Sequence, residues 1–295
     1  METWYGEIKQ MKDVKVWYWL GEPNFGDMLN ANICKDLFNI NAIPVAPKEC
    51  QASFIGSVLD DFLYPHVLKN AEYKKLYAQQ PVNIWGSGFI CDKNHFIKRP
   101  FGLPECFYRR INVHAVRGKF SRDRLEQITK TDLSGVVLGD PGLLAGMLLK
   151  HMPRKKYKIG IIPHHIELQD DLWERFKDIP GVTFINVSDS VENTLYKIAE
   201  CETIASSAMH GLIAADSMYI PNIRLVASNK LIGGDYKFND YYSAYGLDKH
   251  KKINVIDNDI PHDLYKYIKE HYVINPENIK QIQKNLYKSF PYKKD

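Results

Sequence analysis

Long apolar runs are the first thing this sequence lacks. No window approaches the roughly 18 consecutive apolar residues of a membrane span, and the opening METWYGEIKQMKDVKVWYWLGEP has no apolar core of the kind a secretory leader carries. Both absences lead us to expect a cytoplasmic protein. Cysteine is scarce as well. Cys34, Cys50, Cys91, Cys106 and Cys201 are odd in number, widely scattered and without a CxxC pair, so neither a disulfide framework nor a zinc site is indicated. No dense group of His, Asp and Glu argues for another metal, and none is expected. Charge of one sign is also in short supply. A net charge of +4 over 295 residues is too weak to imply nucleic acid, though it suits a small anionic substrate. There is no short repeat and no low-complexity tract, and the terminal KKD reads as a solvated tail.

What is present is enough apolar material for two cores: 45% hydrophobic and 12% aromatic residues over this length favour two domains. Short apolar runs alternate with longer mixed segments, the rhythm of an α/β protein with parallel strands. Val14 to Trp19 reads as a first strand, GEPNFGD as a loop, and MLNANICKDLFNI as a helix carrying the stripe Met28, Leu29, Ile33, Leu37 and Phe38. Val82 to Trp85, Val113 to Val116 and Val136 to Leu138 follow as strands. The basic, proline-containing stretch from His151 to Lys158 marks a boundary, dividing the chain into residues 1–152 and 153–295. The pattern then restarts with a strand at Ile159 to Ile162, a helix at Leu168 to Lys177, a strand at Val182 to Ile185, a helix at Val191 to Ala199 and a strand near Thr203. Two such halves resemble the GT-B architecture, in which paired Rossmann-like domains face each other across a cleft, with the C-terminal helical tail on the second.

Open α/β sheets bind ligands beyond the carboxyl ends of their strands, so the loops there carry the candidates. In Asn24-Phe25-Gly26-Asp27 the glycine permits a close approach; Asp27 either caps the helix or, with Asn24, meets sugar hydroxyls. Gly86-Ser87-Gly88 is either a tight turn or a backbone cradle for an anion. Arg117 follows a strand and offers the planar fork that suits phosphate or carboxylate, unless it is simply a surface arginine. Asp140 starts a turn and caps it, or positions a hydroxyl. Of His164 and His165, strand alternation lets at most one face a given site, with His164 as the anion partner. The sharpest run is Ile204 to Pro221: strand, Ser206 and Ser207 in a small-residue loop, His210-Gly211, then an apolar helix. The serines can cap that helix, its N–H groups attract anions, and His210 sits where the dipole favours a neutral imidazole, usable as a base.

At this run, SSAMHGLIAADSMYIP, the sequence resembles the polysaccharide pyruvyl transferase family. NFGD, GSG at Gly86, VRG at Arg117, LGDPGLL at Asp140, IPHH at His164 and KFNDYYSAYG at Lys237 fall in the family's order and cover most of the chain. The resemblance implies transfer of the pyruvyl group of phosphoenolpyruvate to a saccharide diol in surface or exopolysaccharide synthesis, with phosphoenolpyruvate as donor substrate and no cofactor. On this basis His210 and Asp27 are the expected acid/base groups. Arg117, His164, Ser206, Ser207, Lys237, Gly86 and Ser87 are expected to hold the donor, and Asn24, Asp140 and Asp240 the acceptor. Some members carry an arginine two residues before the histidine, where this chain has Ala208, so another cation must supply that charge. The alternative is a GT-B glycosyltransferase using a sugar nucleotide; a saccharide-binding protein without turnover is a third class. Trp17, Trp19, Tyr241 and Tyr242 either stack on a sugar or pack in the core. A lipid-linked acceptor would add a peripheral membrane contact.

Overall fold

The computed structural model describes residues 11–22, 24–63, 70–92, 106–247 and 249–293. The stretch read for a leader begins, and the KKD tail ends, outside these residues. The elements run β1 (Lys12–Val16), α1 (Phe25–Phe38), β2 (Ile40–Pro44), β3 (Ala52–Ser53), α2 (Asn70–Tyr77), β4 (Val82–Trp85), β5 (Ile111–Val116), α3 (Lys119–Thr129) and β6 (Val137–Leu138). After a 3-10 helix at Pro141–Leu148 come β7 (Tyr157–Ile162), β8 (Val182–Phe184), α4 (Val191–Ala199), β9 (Cys201–Ser206), α5 (Met209–Ser217) and β10 (Asn222–Val226). The chain continues through α6 (Tyr236–Ser243), β11 (Lys252–Asn254), α7 (Leu264–His271) and α8 (Pro276–Ser289).

Among the described residues the strands form two sheets, ordered β2-β1-β3-β4-β5-β6 and β11-β10-β9-β7-β8, with every ladder parallel. The α/β reading therefore holds. β1 buries Val14 and Val16 on one face, while β7 runs apolar from Ile159 to Ile162, as a strand covered on both faces requires. The helix expected over residues 168–177 is instead a 3-10 helix at Asp171–Phe176, preceded by a 3-10 turn at His165–Glu167. His164 and Asp170 each take extended backbone just before one of them, which breaks the run. No helix among the described residues is long and apolar enough to cross a membrane. Cys34, Cys50 and Cys201 are buried thiols whose pKa values burial pushes up to about 12.

The two halves share one large core. Val14, Leu29 and Trp85 belong to the same apolar cluster as Ile162, Leu212 and Ile279. Helix α8 packs against the first sheet rather than the second: Trp85 Nε1 donates to Leu286 O (3.1 Å), and Phe38 stacks on Phe290 with centroids 3.8 Å apart. Helix α5 is buried along its whole length except at His210. Its Asp216 accepts from Tyr241, Tyr272 and Asn222, tying α5 to α6, β10 and the segment before α8.

Candidate active site

His210 enters the structure at the second residue of α5 and points toward the start of α1. A Cβ built on Gly26 would lie 2.0 Å from His210 Nδ1, so the glycine of NFGD makes room for the imidazole itself. On the other side of the ring, His210 Nε2 lies 3.8 Å from Asp140 Oδ2, and both atoms are buried without a hydrogen-bond partner among the described residues. Asp140 caps the following 3-10 helix through its other oxygen, which accepts from Gly142 N at 2.8 Å. It is wholly buried, so it faces the histidine and not an acceptor sugar as expected.

At α1 the cap is Asn24, not Asp27: Asn24 Oδ1 accepts from Asp27 N (3.1 Å), while Asn24 Nδ2 donates to the Asp27 carboxylate. Burial raises the pKa of Asp27, and the nearby His210, the Asn24 hydrogen bond, His165 and Lys237 pull it back. Lys237, in the first turn of α6, is half-buried and makes no ion pair or hydrogen bond among the described residues. Burial, followed by the positive fields of Arg117 and Arg224, lowers its pKa to about 8, while Glu167 and Asp27 oppose that shift. His164 and His165 do not alternate, because the chain leaves β7 at Ile162; their rings lie together, centroids 4.3 Å apart. Burial and the positive charges of Lys237, His165 and His210 push His164 down to about 3, so it meets a ligand as a neutral ring and not as the cation anion binding would use.

Other expected contacts turn inward. Arg117 and Asp240 are both wholly buried, joined Nε to Oδ2 at 2.9 Å. Arg117 also donates to Ser57 Oγ (2.6 Å) and to Phe89 O, and Asp240 accepts from Ser121 N and Oγ. The pair clamps the end of β5 to α6 instead of reaching donor and acceptor. A Cβ on Gly118 would lie 1.7 Å from Asp240 O, so VRG needs its glycine for this contact. Gly86, at φ 90°, packs against Pro141, and Ser87 Oγ donates to Phe54 O (2.7 Å). The amides of Gly86, Gly88 and Phe89 bond to Ala115 O, Gly56 O and Ser121 Oγ. Ser206 Oγ bonds Ile162 O and Ala208, and neither serine caps α5, whose N-cap is Ala208. Tyr241 and Tyr242 are core residues, whereas Trp19 remains 53% exposed.

Sequence reasoning missed Glu167. This fully buried carboxylate accepts from Ser207 Oγ (2.6 Å) and from Ser228 Oγ. Ser207 Oγ in turn accepts the His164 N–H (2.9 Å). The only signal was a lone acid two residues beyond the paired histidines. Among the described residues no group of three or more His, Cys, Asp or Glu side chains is arranged to hold a metal ion.

The structure thus gathers His210, Asp140, Asp27, Asn24, His164 and Lys237, a set able to give and take protons beside an ammonium without an ion-pair partner. Over 257 residues, 82% of this chain and 78% of its own length, an uncharacterized protein of Acanthamoeba polyphaga mimivirus is 26% identical to it. The polysaccharide pyruvyl transferase family matches residues 12–229, through β1 and the site loops to just beyond β10. With almost three quarters of its length matched, the chain belongs to the polysaccharide pyruvyl transferase family.

Proposed function

We propose that this protein transfers the pyruvyl group of phosphoenolpyruvate to two hydroxyls of a saccharide, forming a pyruvate ketal and releasing phosphate. The observation that carries the reading is the His210–Asp140 pair, whose facing Nε2 and Oδ2 atoms are buried without hydrogen bonds among the described residues, beside the Asp27 carboxyl that feels both His210 and the ammonium of Lys237. In this reaction a proton adds to the methylene carbon of the enol, and one sugar hydroxyl forms a bond to the neighbouring carbon as its proton passes to a base. The bond from that carbon to the phosphate oxygen breaks, phosphate leaves, and the second hydroxyl closes the ring, losing its own proton. His210 suits the proton transfers because imidazole exchanges protons near neutrality. Asp140 faces the ring at Nε2, 3.8 Å away, and Nδ1 lies toward the start of α1. Asp27, a carboxyl with a raised pKa, is the second acid/base group on the acceptor side, with Asn24 orienting it.

Lys237 supplies the positive charge for the donor anion, taking the place of the cation that Ala208 lacks. In this reading the halves 1–152 and 153–295 bind acceptor and donor across a cleft, and the acceptor is a saccharide of a surface or exopolysaccharide. A lipid-linked acceptor would draw the protein to a membrane surface.

The test is ligand-dependent melting of the purified protein, because a ligand that binds only the folded state raises its apparent stability. Phosphoenolpyruvate is expected to raise the melting temperature, and phosphate release is expected on adding an acceptor diol. A shift with sugar nucleotides alone would overturn the proposal in favour of glycosyl transfer.

A further inference from the structure

Glu167 is wholly buried in a loop, an expensive place for a carboxylate unless its hydrogen bonds are made and its charge is matched. Its side-chain hydrogen bonds come from two serines on two other loops, so that three loops meet. Glu167 itself follows β7, Ser207 lies between β9 and α5, and Ser228 follows β10. Each loop emerges from the carboxyl end of a strand in the second sheet, and all three meet on this one side chain. The backbone is held as well, since Glu167 N donates to His164 O (2.8 Å) and Trp173 Nε1 donates to Glu167 O (2.6 Å). Through Ser207 the carboxylate also fixes the amide of His164.

The cations that feel its charge are Lys237 and the buried Arg224. The ammonium feels Arg117 from the end of β5 and Arg224 from β10 as repelling cations, and Glu167 and Asp27 as the opposing anions; His164 lies beside it as a neutral ring. Two buried arginines and partial burial would drive a lysine toward its neutral form. Asp27 sits across at α1 with a raised pKa of its own, which leaves Glu167 as the anion of the second sheet.

We propose that Glu167 is the positioning residue of this site: one buried carboxylate joins the three donor-side loops through two serines and keeps the ammonium of Lys237 charged. It does not touch substrate, and it acts through Lys237 and the His164 loop. Its value to catalysis rests on the pyruvyl-transfer reading, but its effect on Lys237 does not.

The experiment is trace acetylation of full-length protein across the pH range, with peptide mass spectrometry reporting the apparent pKa of Lys237 in wild type and in Glu167→Gln. The expected result is a fall of about one unit in the variant, the scale set by losing one nearby opposite charge. Ser228→Ala, which removes a hydrogen bond and leaves the charge, should not move it. An unmoved Lys237 in a folded E167Q would overturn the proposal. Should E167Q fail to fold, Glu167→Asp decides. With its charge kept and its reach shortened, Lys237 should titrate as in wild type, while amide exchange in segments 163–169 and 206–210 speeds at least roughly tenfold; unchanged exchange would overturn the proposal. Absence of pyruvyl transfer by wild-type protein would refute the functional reading instead, and the titration, read without substrate, would still judge Glu167. Where transfer occurs, the alkaline limb of kcat/KM for phosphoenolpyruvate should move down by the same interval in E167Q.

Discussion

Asp140 Oδ2 stands 3.8 Å from His210 Nε2, and each is a buried polar atom with no hydrogen bond among the described residues. A small rotation of either side chain would close the gap. The pair then fixes which nitrogen carries the proton and leaves the other free to react. Asp140→Asn preserves the cap to Gly142 but replaces the carboxylate. Phosphate release is expected to fall by roughly 100-fold, within the range attributed to acid–base catalysis, with the thermal melt nearly unchanged. A wild-type rate in this variant would remove Asp140 from the mechanism.

Gly26 offers a second test that adds one methyl group and no charge. Alanine raises intrinsic helix propensity by up to about 1 kcal/mol relative to glycine, so a neutral site would become more stable. Here the new Cβ would overlap the imidazole. Gly26→Ala should displace His210 and lower turnover by roughly 100-fold, the effect of misplacing a catalytic group by about an ångström. Steady-state kinetics beside a melting curve would separate this from unfolding.

Removing one partner of the Arg117–Asp240 clamp leaves the other charged and buried. Asp240→Asn should destabilise the fold by about 3–5 kcal/mol, seen as a lower urea midpoint. The double variant Arg117→Met with Asp240→Leu should be less damaging than the sum of the single changes, and strict additivity would count against a direct pairing.

Lys237 makes a prediction whose sign can be worked out. Its folded pKa of about 8 lies below the ordinary 10.5, so between those values the unfolded chain binds more protons than the folded one. Stability should therefore rise with pH from about 8 to about 10.5, and Lys237→Met should flatten the rise. Urea midpoints at the two ends of that window measure it. Donor binding should run the other way in wild type, weakening above about pH 8 as the ammonium is lost.

Local signals in the sequence exposed part of this site. The opening of α5 was legible because a strand, small residues and His-Gly follow one another within ten positions, and the glycine of NFGD was legible as a close approach. What approaches it was not, since His210 is 184 positions further along the chain. Arg117 looked like a ligand contact because a polar residue after an apolar strand reads the same whether it meets a substrate or another element, and Asp240 was expected there only through the resemblance carried by KFNDYYSAYG. Glu167 carried no periodic or motif signal at all. The strands β4, β7 and β9 could be read from apolar runs; β3, with two residues, offers too short a pattern.

The last helix has a consequence for how the molecule is made. Trp85 belongs to the fourth strand, yet its indole N–H finds its acceptor in α8, and Phe38 rests on a ring just beyond that helix. On the ribosome, where earlier segments emerge first, Trp85 must wait for 201 further residues before that face is sealed. The early half of the chain is therefore a natural client for chaperones, and a premature stop before α8 would leave it with an open apolar wall however well its own strands had paired.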